Sequence, residues 1–390
     1  MRILHTADWH IGRSIEGRDR INEHEAMMEE IQQICRDEAI DAVVMAGDVF
    51  DSVNPPAKGE MLYYDGMEIL SEGGRRPIIV AAGNHDSPDR LEATSSVMKR
   101  LNVHTRAFPG KEPVTVQTDK GVLQAVMMPY PSEARLKRRL SEELNEFDLR
   151  EQYDKAVSEL YQAQLRQLDP RAPIIGVSHL FAAGGAETDS ERPIQLGGAY
   201  TVKGTSLPAV DYHALGHLHR SQAVKTAPAP SYYSGSPMGF SFSERADIKS
   251  VSIVTLGDEA SPQVKTVPLS CGRPLVRWRA EAGAQQVLQW MDEKRDAGAW
   301  LEIEVHTDQP LSAETVHHMK KAYDGLLSII PIFPDRERDV DIRRRERPIE
   351  DLFTEFYKKQ LGGAEPSSEL KELFLQMVEV DDHEAAQTDD

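Results

Sequence analysis

Asp41-Ala42-Val43-Val44-Met45-Ala46-Gly47-Asp48-Val49-Phe50-Asp51 is the stretch on which the fold turns. Its first part is a short apolar run of the kind that forms a buried strand. Gly47 lets the chain turn sharply where the strand stops. Asp48 is then a carboxylate at a strand tip, where α/β sheets carry their ligand sites. One Asp after a strand is most often a turn former or a helix cap. Similar junctions elsewhere in the chain give this one its meaning.

Outward from this stretch, the first part of the chain alternates strand and helix. Met1-Arg2-Ile3-Leu4-His5-Thr6-Ala7-Asp8 reads as the first strand. Met27, Ile31 and Ile34 keep helical spacing between Glu23 and Glu38. A helix is expected from Lys58 to Leu70 and a strand from Pro77 to Ala82, with Pro55-Pro56 blocking an earlier helix start. The order βαβαβ implies a sheet of parallel strands with helices on its faces. Extended runs follow at Pro113–Gln117 and Val122–Met128, then charged helices at Ser132–Glu146 and Leu149–Leu168 and a buried strand at Pro173–Ser178. A Gly-rich loop runs from Ala182 to Gly198. Short strands and turns from Asp211 to Leu269, among them Ala214-Leu215, Ser250–Leu256 and Val264–Leu269, suggest a second sheet.

After Arg273 the pattern changes to β-α-β-α-β: Pro274–Ala280, Gln285–Asp296, Trp300–His306, Ala313–Tyr323 and Leu327–Phe333. Two amphipathic helices follow, with Leu352, Phe353, Phe356 and Tyr357 on one and Leu370, Leu373, Phe374 and Met377 on the other; Gly362-Gly363 separates them. No internal repeat is visible. The expected division is 1–272, 273–345, 346–380 and an acidic, disordered end at 381–390.

Five junctions place polar groups directly after apolar runs: Asp8-Trp9-His10, Gly47-Asp48, Gly83-Asn84-His85-Asp86, Ser178-His179 and Gly216-His217-Leu218-His219. Alternate residues, such as Asp8 and His10 or His217 and His219, point the same way on an extended chain. Carboxylate, carboxamide oxygen and imidazole without thiolate suit manganese, iron, zinc or a mixed pair. Two such ions about 4 Å apart can bind both the attacking and the leaving oxygen in phosphoester hydrolysis. A bridging carboxylate is the simplest way to hold them so close, and Asp48 is the candidate. Each motif alone has a structural reading, as turn, cap or core histidine; the ordered set is far more specific.

These motifs resemble the calcineurin-type metallophosphoesterases, whose pattern is D-x-H, G-D-x-x-D, G-N-H-[DE], H and G-H-x-H. Asp8–Gly12, Ala46–Asp51, Gly83–Pro88, Thr188–Arg192, Leu215–His219 and Tyr233–Pro237 are typical of the double-strand-break repair nuclease branch, and the resemblance covers nearly the whole chain. It implies an α/β fold: a two-sheet metallophosphoesterase sandwich flanked by helices, a small α+β capping domain that helps place DNA, and a C-terminal helical tail for partner docking. It implies one metal held by Asp8, His10, Asp48 and His219 and a second held by Asp48, Asn84, His179 and His217. His85 would act at the leaving oxygen, by protonating it or stabilising charge. Asp51 either holds the His85 ring by a hydrogen bond or is an exposed loop residue.

The activity implied is that of a manganese-dependent DNA nuclease subunit in repair, recombination and replication. It would be a 3′-to-5′ double-strand exonuclease and a single-strand and hairpin endonuclease. The partners implied are DNA ends and hairpins, a coiled-coil ATPase of the SbcC type docked on the tail helices, and a second copy of the chain, giving a homodimer within a heterotetramer. Family homodimers form where the helix of Met27, Ile31 and Ile34 lies. The tail helices could instead pack on each other. A phosphomonoesterase with the same metals and a non-catalytic DNA-end scaffold are the rival readings. Against the first stand the small domain and tail, and against the second the intact ligand set.

Composition agrees with a multidomain globular chain: 390 residues, 45 basic against 64 acidic and a net charge of −19. So acidic a chain is not expected to grip DNA over its whole surface. Arg135, Lys137, Arg138 and Arg139 read as a solvated helix face, while Arg343, Arg344, Arg345 and Arg347 read equally as that or as a phosphate or partner contact. Only Cys35 and Cys271 are present, so no disulfide framework is expected. No apolar run approaches the ~18 residues of a membrane span, and the N-terminus lacks a signal peptide's apolar core. A cytoplasmic, nucleoid-associated protein is expected.

Overall fold

The computed structural model describes residues 1–137, 146–186, 188–191, 201–257 and 261–334, with 352–354, 357–358, 365–368, 370–371 and 374 of the C-terminal segment. Strands β1 (Arg2–Thr6), β2 (Ala42–Ala46), β3 (Ile78–Ala81) and β4 (Val103–Arg106) run parallel, linked by helices α1 (Ile21–Asp37), α2 (Ala57–Leu70) and α3 (Pro88–Met98). The first sheet gains β13 (Ser250–Thr255), antiparallel to β1, and β14 (Gln263–Pro268) beyond it. The second sheet holds β5 (Val114–Thr118), β6 (Gly121–Met128), β7 (Ile174–His179), β10 (Tyr212–Gly216), β11 (Gln222–Ala223) and β12 (Ser231–Tyr233), in the order β11-β12-β10-β7-β6-β5. A short pair, β8 (Phe181–Ala182) and β9 (Thr201–Val202), and helices α4 (Glu133–Lys137) and α5 (Glu146–Leu165) complete it.

The two sheets pack face to face. Alternation along β2 explains its unbroken apolar run. Ala42, Val44 and Ala46 face the second sheet, with Ile175, Val177 and Ala214 in the shared core. Val43 and Met45 face the other way, into a core with Met27, Ile31, Tyr63 and Met67 of α1 and α2. A third core seats Tyr153, Val157 and Tyr161 of α5 on the second sheet's outer face. Each fully buried side chain of this size contributes about 1.5–3 kcal/mol of transfer free energy, so central strands are apolar on both faces.

One expectation is corrected: Ser250–Leu256 and Val264–Leu269, expected in the second sheet, pair onto β1 as β13 and β14 and so extend the first. Met27 and Ile31 are fully buried and Ile34 packs against the same core. Met27 and Ile31 thus belong to the protomer's own core, with Ile34 at its edge. The first of the two charged helices is described only as far as Lys137, its remainder lying outside the described residues. Helix α3 and strand β4 were not anticipated; Ser87 accepts the Arg90 N–H and Pro88 opens the helix, a start signal that stands in the sequence.

The small unit is β15 (Leu275–Ala280), α6 (Ala284–Asp292), β16 (Trp300–His306), α7 (Ala313–Ala322) and β17 (Leu326–Ile332), a parallel three-stranded sheet in sequence order. Trp278, Val287, Leu301, Ile303, Val305 and Met319 form its own core. It meets the larger body where Ile15, Leu275 and Trp300 cluster. Beside them Glu23 of α1 accepts the Trp300 indole N–H at 2.9 Å and the Arg273 backbone N–H at 2.7 Å. In the tail Phe353 stacks on Phe374, with ring centroids 4.1 Å apart, so its two segments touch; Phe356, Leu373, Met377 and Arg343–Arg347 lie outside the described residues. Among the described residues no helix is long and apolar enough to cross a membrane.

Candidate metal centre

All five junctions lie at the same edge of the sandwich. Beyond β1 and β2 the backbone ladder continues into the loops: Asp8 N–H donates to Gly47 O at 2.9 Å and His10 N–H to Asp48 O at 3.0 Å. This pins the first two motifs side by side. Glycine makes the approach of the others possible. A Cβ on Gly47, whose φ is +96°, would lie 2.2 Å from His179 Nδ1, and one on Gly83 would lie 2.0 Å from Asp48 Oδ1. Asp8, His10, Asp48 and His217 adopt positive φ themselves. Such backbone costs of order 1–3 kcal/mol per residue and collects where a site requires it.

The donor atoms fall into two groups that share Asp48. On one side His10 Nε2 lies 3.1 Å from His219 Nε2 and 3.6 Å from Asp48 Oδ2, with an Asp8 carboxylate oxygen within reach of both imidazoles. On the other, His179 Nε2 lies 3.5 Å from the same Asp48 Oδ2, and Asn84 Oδ1 stands 2.8 Å from His179 Nε2 and 3.1 Å from His217 Nδ1. Asp8, His10, His179, His217 and His219 are all buried. Asp8 also reaches the second group, its Oδ1 lying 3.8 Å from His179 Nδ1.

Charge in this cluster is poorly balanced by the protein alone. Among the described residues the ion-pair partners of Asp8 and Asp48 are imidazoles. Burial pushes the Asp8 carboxyl up to about 7 against the pull of His179 and His219. Burial opposes ionisation of Asp48 too, but His179, His10 and His85 hold it well below the usual carboxylate range. His179, despite its burial, is pushed up to about 9 by Asp48 and Asp8. Burial takes His10 and His217 down to about 3. A neutral imidazole presents a lone pair. His10 Nδ1 faces the Asp51 carboxylate at 3.4 Å, and that carboxylate favours a proton on Nδ1 and the lone pair on Nε2. His217 Nε2 is buried and has no hydrogen-bond partner among the described residues. Lone pairs and carboxylate oxygens converging in a buried site without Lys or Arg fit divalent cations.

His85 sits edge-on to His10, with ring centroids 4.6 Å apart, and its backbone N–H donates to Asp48 Oδ1 at 2.9 Å. Its Nδ1–H donates to the backbone carbonyl of Asp51 at 2.8 Å. The hydrogen bond expected between Asp51 and the His85 ring is thus made by the main chain and not by the carboxylate. The Asp51 carboxylate is 3.8 Å from His85 Nδ1 and nearer to His10 and to Arg13, at 3.5 Å. The loop turns the carbonyl towards His85, leaving the side chain to His10.

Several contributors carried no role in the sequence reading. Asp86 accepts backbone N–H groups from Gly83, Phe50 and Val49 and so ties the third junction to the second. Burial, and then Asp48, push its carboxyl up to about 6. Arg135 corrects the reading of a solvated basic face. It is half-buried and donates to the carbonyls of Gly83, Tyr130 and Asp86, bracing the Asn84–His85 loop, while Arg138 and Arg139 lie outside the described residues. Ser190, Glu191, Glu244 and Lys249 gather behind His219. Only Ser190 and Glu191, within the Thr188–Arg192 block, had any sequence signal.

A family model described as calcineurin-like phosphoesterase matches residues 1–221, and one described as type 5 capsule protein repressor C-terminal domain matches residues 271–360. The chain is 46% identical over 384 residues to the SbcD component of nuclease SbcCD from Bacillus subtilis (strain 168), covering 97% of this chain and 98% of that one. It is 32% identical over 362 residues to the same component of nuclease SbcCD from Rhodobacter capsulatus, covering 85% of each. It is 29% identical over 379 residues to the Escherichia coli (strain K12) protein of the same description, covering 93% of each.

Proposed function

The chain belongs to the calcineurin-like phosphoesterase family, in the branch of the SbcD component of nuclease SbcCD, and from that membership we propose that it is a metal-dependent phosphodiesterase that cuts DNA ends and hairpins. The observation that carries the reading is the convergence of His10, His219 and Asp8 on one side of Asp48 Oδ2 and of His179, Asn84 and His217 on the other. These residues would hold two divalent ions, with manganese as the resident metal. When bound, the pair supplies Lewis-acid stabilisation of charge on the phosphodiester and a water nucleophile at neutral pH. The chain's own residues do the rest. Asp48, clamped by the His85 N–H, would serve both positions. His85, its Nδ1 proton committed to Asp51 O, would present Nε2 to the leaving oxygen; in its imidazolium form the ring carries a second proton there, which it would donate to that oxygen.

By the same membership, cleavage runs 3′-to-5′ on duplex ends and endonucleolytically on single strands and hairpins. The small unit positions DNA, and the tail docks an SbcC-type ATPase. The test is cleavage of a 5′-labelled hairpin duplex with manganese by wild type and His85→Ala, with metal content measured in both. Cleavage by wild type alone, both proteins being metal-loaded, is the expected result. Efficient hydrolysis of p-nitrophenyl phosphate without hairpin cleavage, with the ATPase partner also present, would replace the nuclease by a phosphomonoesterase.

A further inference from the structure

Behind His219 the body carries a buried polar chain that no residue of the proposed chemistry requires. Ser190 Oγ lies 2.5 Å from His219 Nδ1 and hydrogen-bonds Glu244 Oε1. Glu244 also accepts the Phe240 N–H at 3.2 Å and, through Oε2, pairs with Lys249. Lys249 donates to His219 O at 3.1 Å and to Ser236 Oγ at 3.0 Å. Glu191 accepts the His219 N–H at 2.8 Å. Ser190, Glu191 and Glu244 are all buried, so these groups cannot exchange their partners for water.

Proton counting fixes the direction of the chain. Ionised Glu244 can only accept. The Ser190 hydroxyl has one proton, and the carboxylate is its strongest acceptor. Ser190 Oγ therefore accepts from His219 Nδ1–H, which leaves the lone pair of His219 on Nε2, facing His10 Nε2. We propose that Ser190, Glu244 and Lys249 are positioning residues that lock His219 in its Nδ1–H tautomer and so set the affinity of the Asp8–His10–Asp48–His219 site selectively. The inference rests on the metal-centre reading for its effect on affinity, but not for the tautomer itself. Among the described residues the second site has no such chain: His179 Nδ1 is held by the Ala46 carbonyl at 2.9 Å. Outer partners of a ligating histidine typically change metal affinity by about 10–100-fold.

Two readouts test this in the full chain. The first is manganese titration by calorimetry of wild type, Ser190→Ala and Ser190→Thr. Ser190→Ala is expected to weaken one of two equivalents by about 10-fold or more and leave the other within about twofold, while the retained hydroxyl of Ser190→Thr restores binding. Equal affinities in all three proteins, or equal loss at both sites, would overturn the selective role. The second is long-range 15N–1H correlation of 15N-histidine-labelled, metal-free protein. The His219 signals, assigned by their loss in His219→Gln, are expected to report Nδ1–H in wild type and a tautomer mixture in Ser190→Ala. Nε2–H in wild type would overturn the lock whatever the titrations give. A wild type that binds no manganese while His219 is Nδ1–H would instead overturn the metal-centre reading and leave the lock standing.

Discussion

Asp51, which the family resemblance assigns to the His85 ring, divides its two polar ends between neighbours. Its main-chain carbonyl holds His85, and its carboxylate lies nearer to His10. Asp51→Asn should therefore leave the His85 ring in place and weaken the hold on His10. The expected outcome is a loss of about 10-fold in manganese affinity at one site. The hairpin cleavage rate at saturating manganese should stay within about threefold of wild type. Manganese titration of the cleavage rate measures both quantities. A fall in the saturated rate with unchanged affinity would return the carboxylate to His85. The candidate ligands were legible because each follows an apolar run and belongs to a short motif. Glu244 was not, because its partner Ser190 lies 54 residues away and only the folded chain brings the two together.

Element ends, more than element interiors, build the centre. The β2 run was readable because both of its faces are buried, and that burial leaves the strand little freedom except at its tip. Helix α3 went unread although Ser87-Pro88 marks its start, since its short apolar stripe buries only Leu91 and Met98. The tip of β3 carries the most exacting constraint. A methyl group on Gly83 would stand 2.0 Å from Asp48 Oδ1 and 2.3 Å from Asp48 N. Gly83→Ala must then move either the Asn84–His85 loop or Asp48 itself, which serves both groups of donors. The expected result is loss of at least about 10-fold in affinity at both manganese equivalents, with the circular dichroism of the fold retained. This pattern differs from the single-site loss expected for Ser190→Ala. Loss confined to one equivalent would show that the Asn84–His85 loop gives way and Asp48 keeps its place.

At the scale of the whole molecule, the metal centre and the small unit are joined through α1. Glu23 accepts from Arg20 Nε and Nη2 at 2.9 and 2.8 Å, and from Trp300 and the Arg273 backbone across the junction. Arg20 in turn donates to Gly239 O at 2.7 Å, and the ring of the next residue, Phe240, packs against His10 and His219. Burial disfavours ionised Glu23, yet Arg20, the Arg273 N–H and Trp300 outweigh it and hold the carboxyl below its ordinary value of 4.5. A group that binds its proton more weakly when folded stabilises the native state above its unfolded value. That contribution fades as the pH falls through the lower folded value. Glu23→Gln keeps the shape and removes the charge, leaving Arg20 buried without its counter-ion, a change that in buried pairs costs about 3–5 kcal/mol. The melting temperature of Glu23→Gln should thus lie well below that of wild type at neutral pH, and the gap should narrow as the pH falls below the ordinary carboxyl value of 4.5 and wild-type Glu23 takes up its proton. Calorimetric melts of both proteins from pH 7 down to pH 3 measure the gap. A gap that stays constant over that range would mean that Glu23 joins the two parts by shape and neutral hydrogen bonds rather than by its charge.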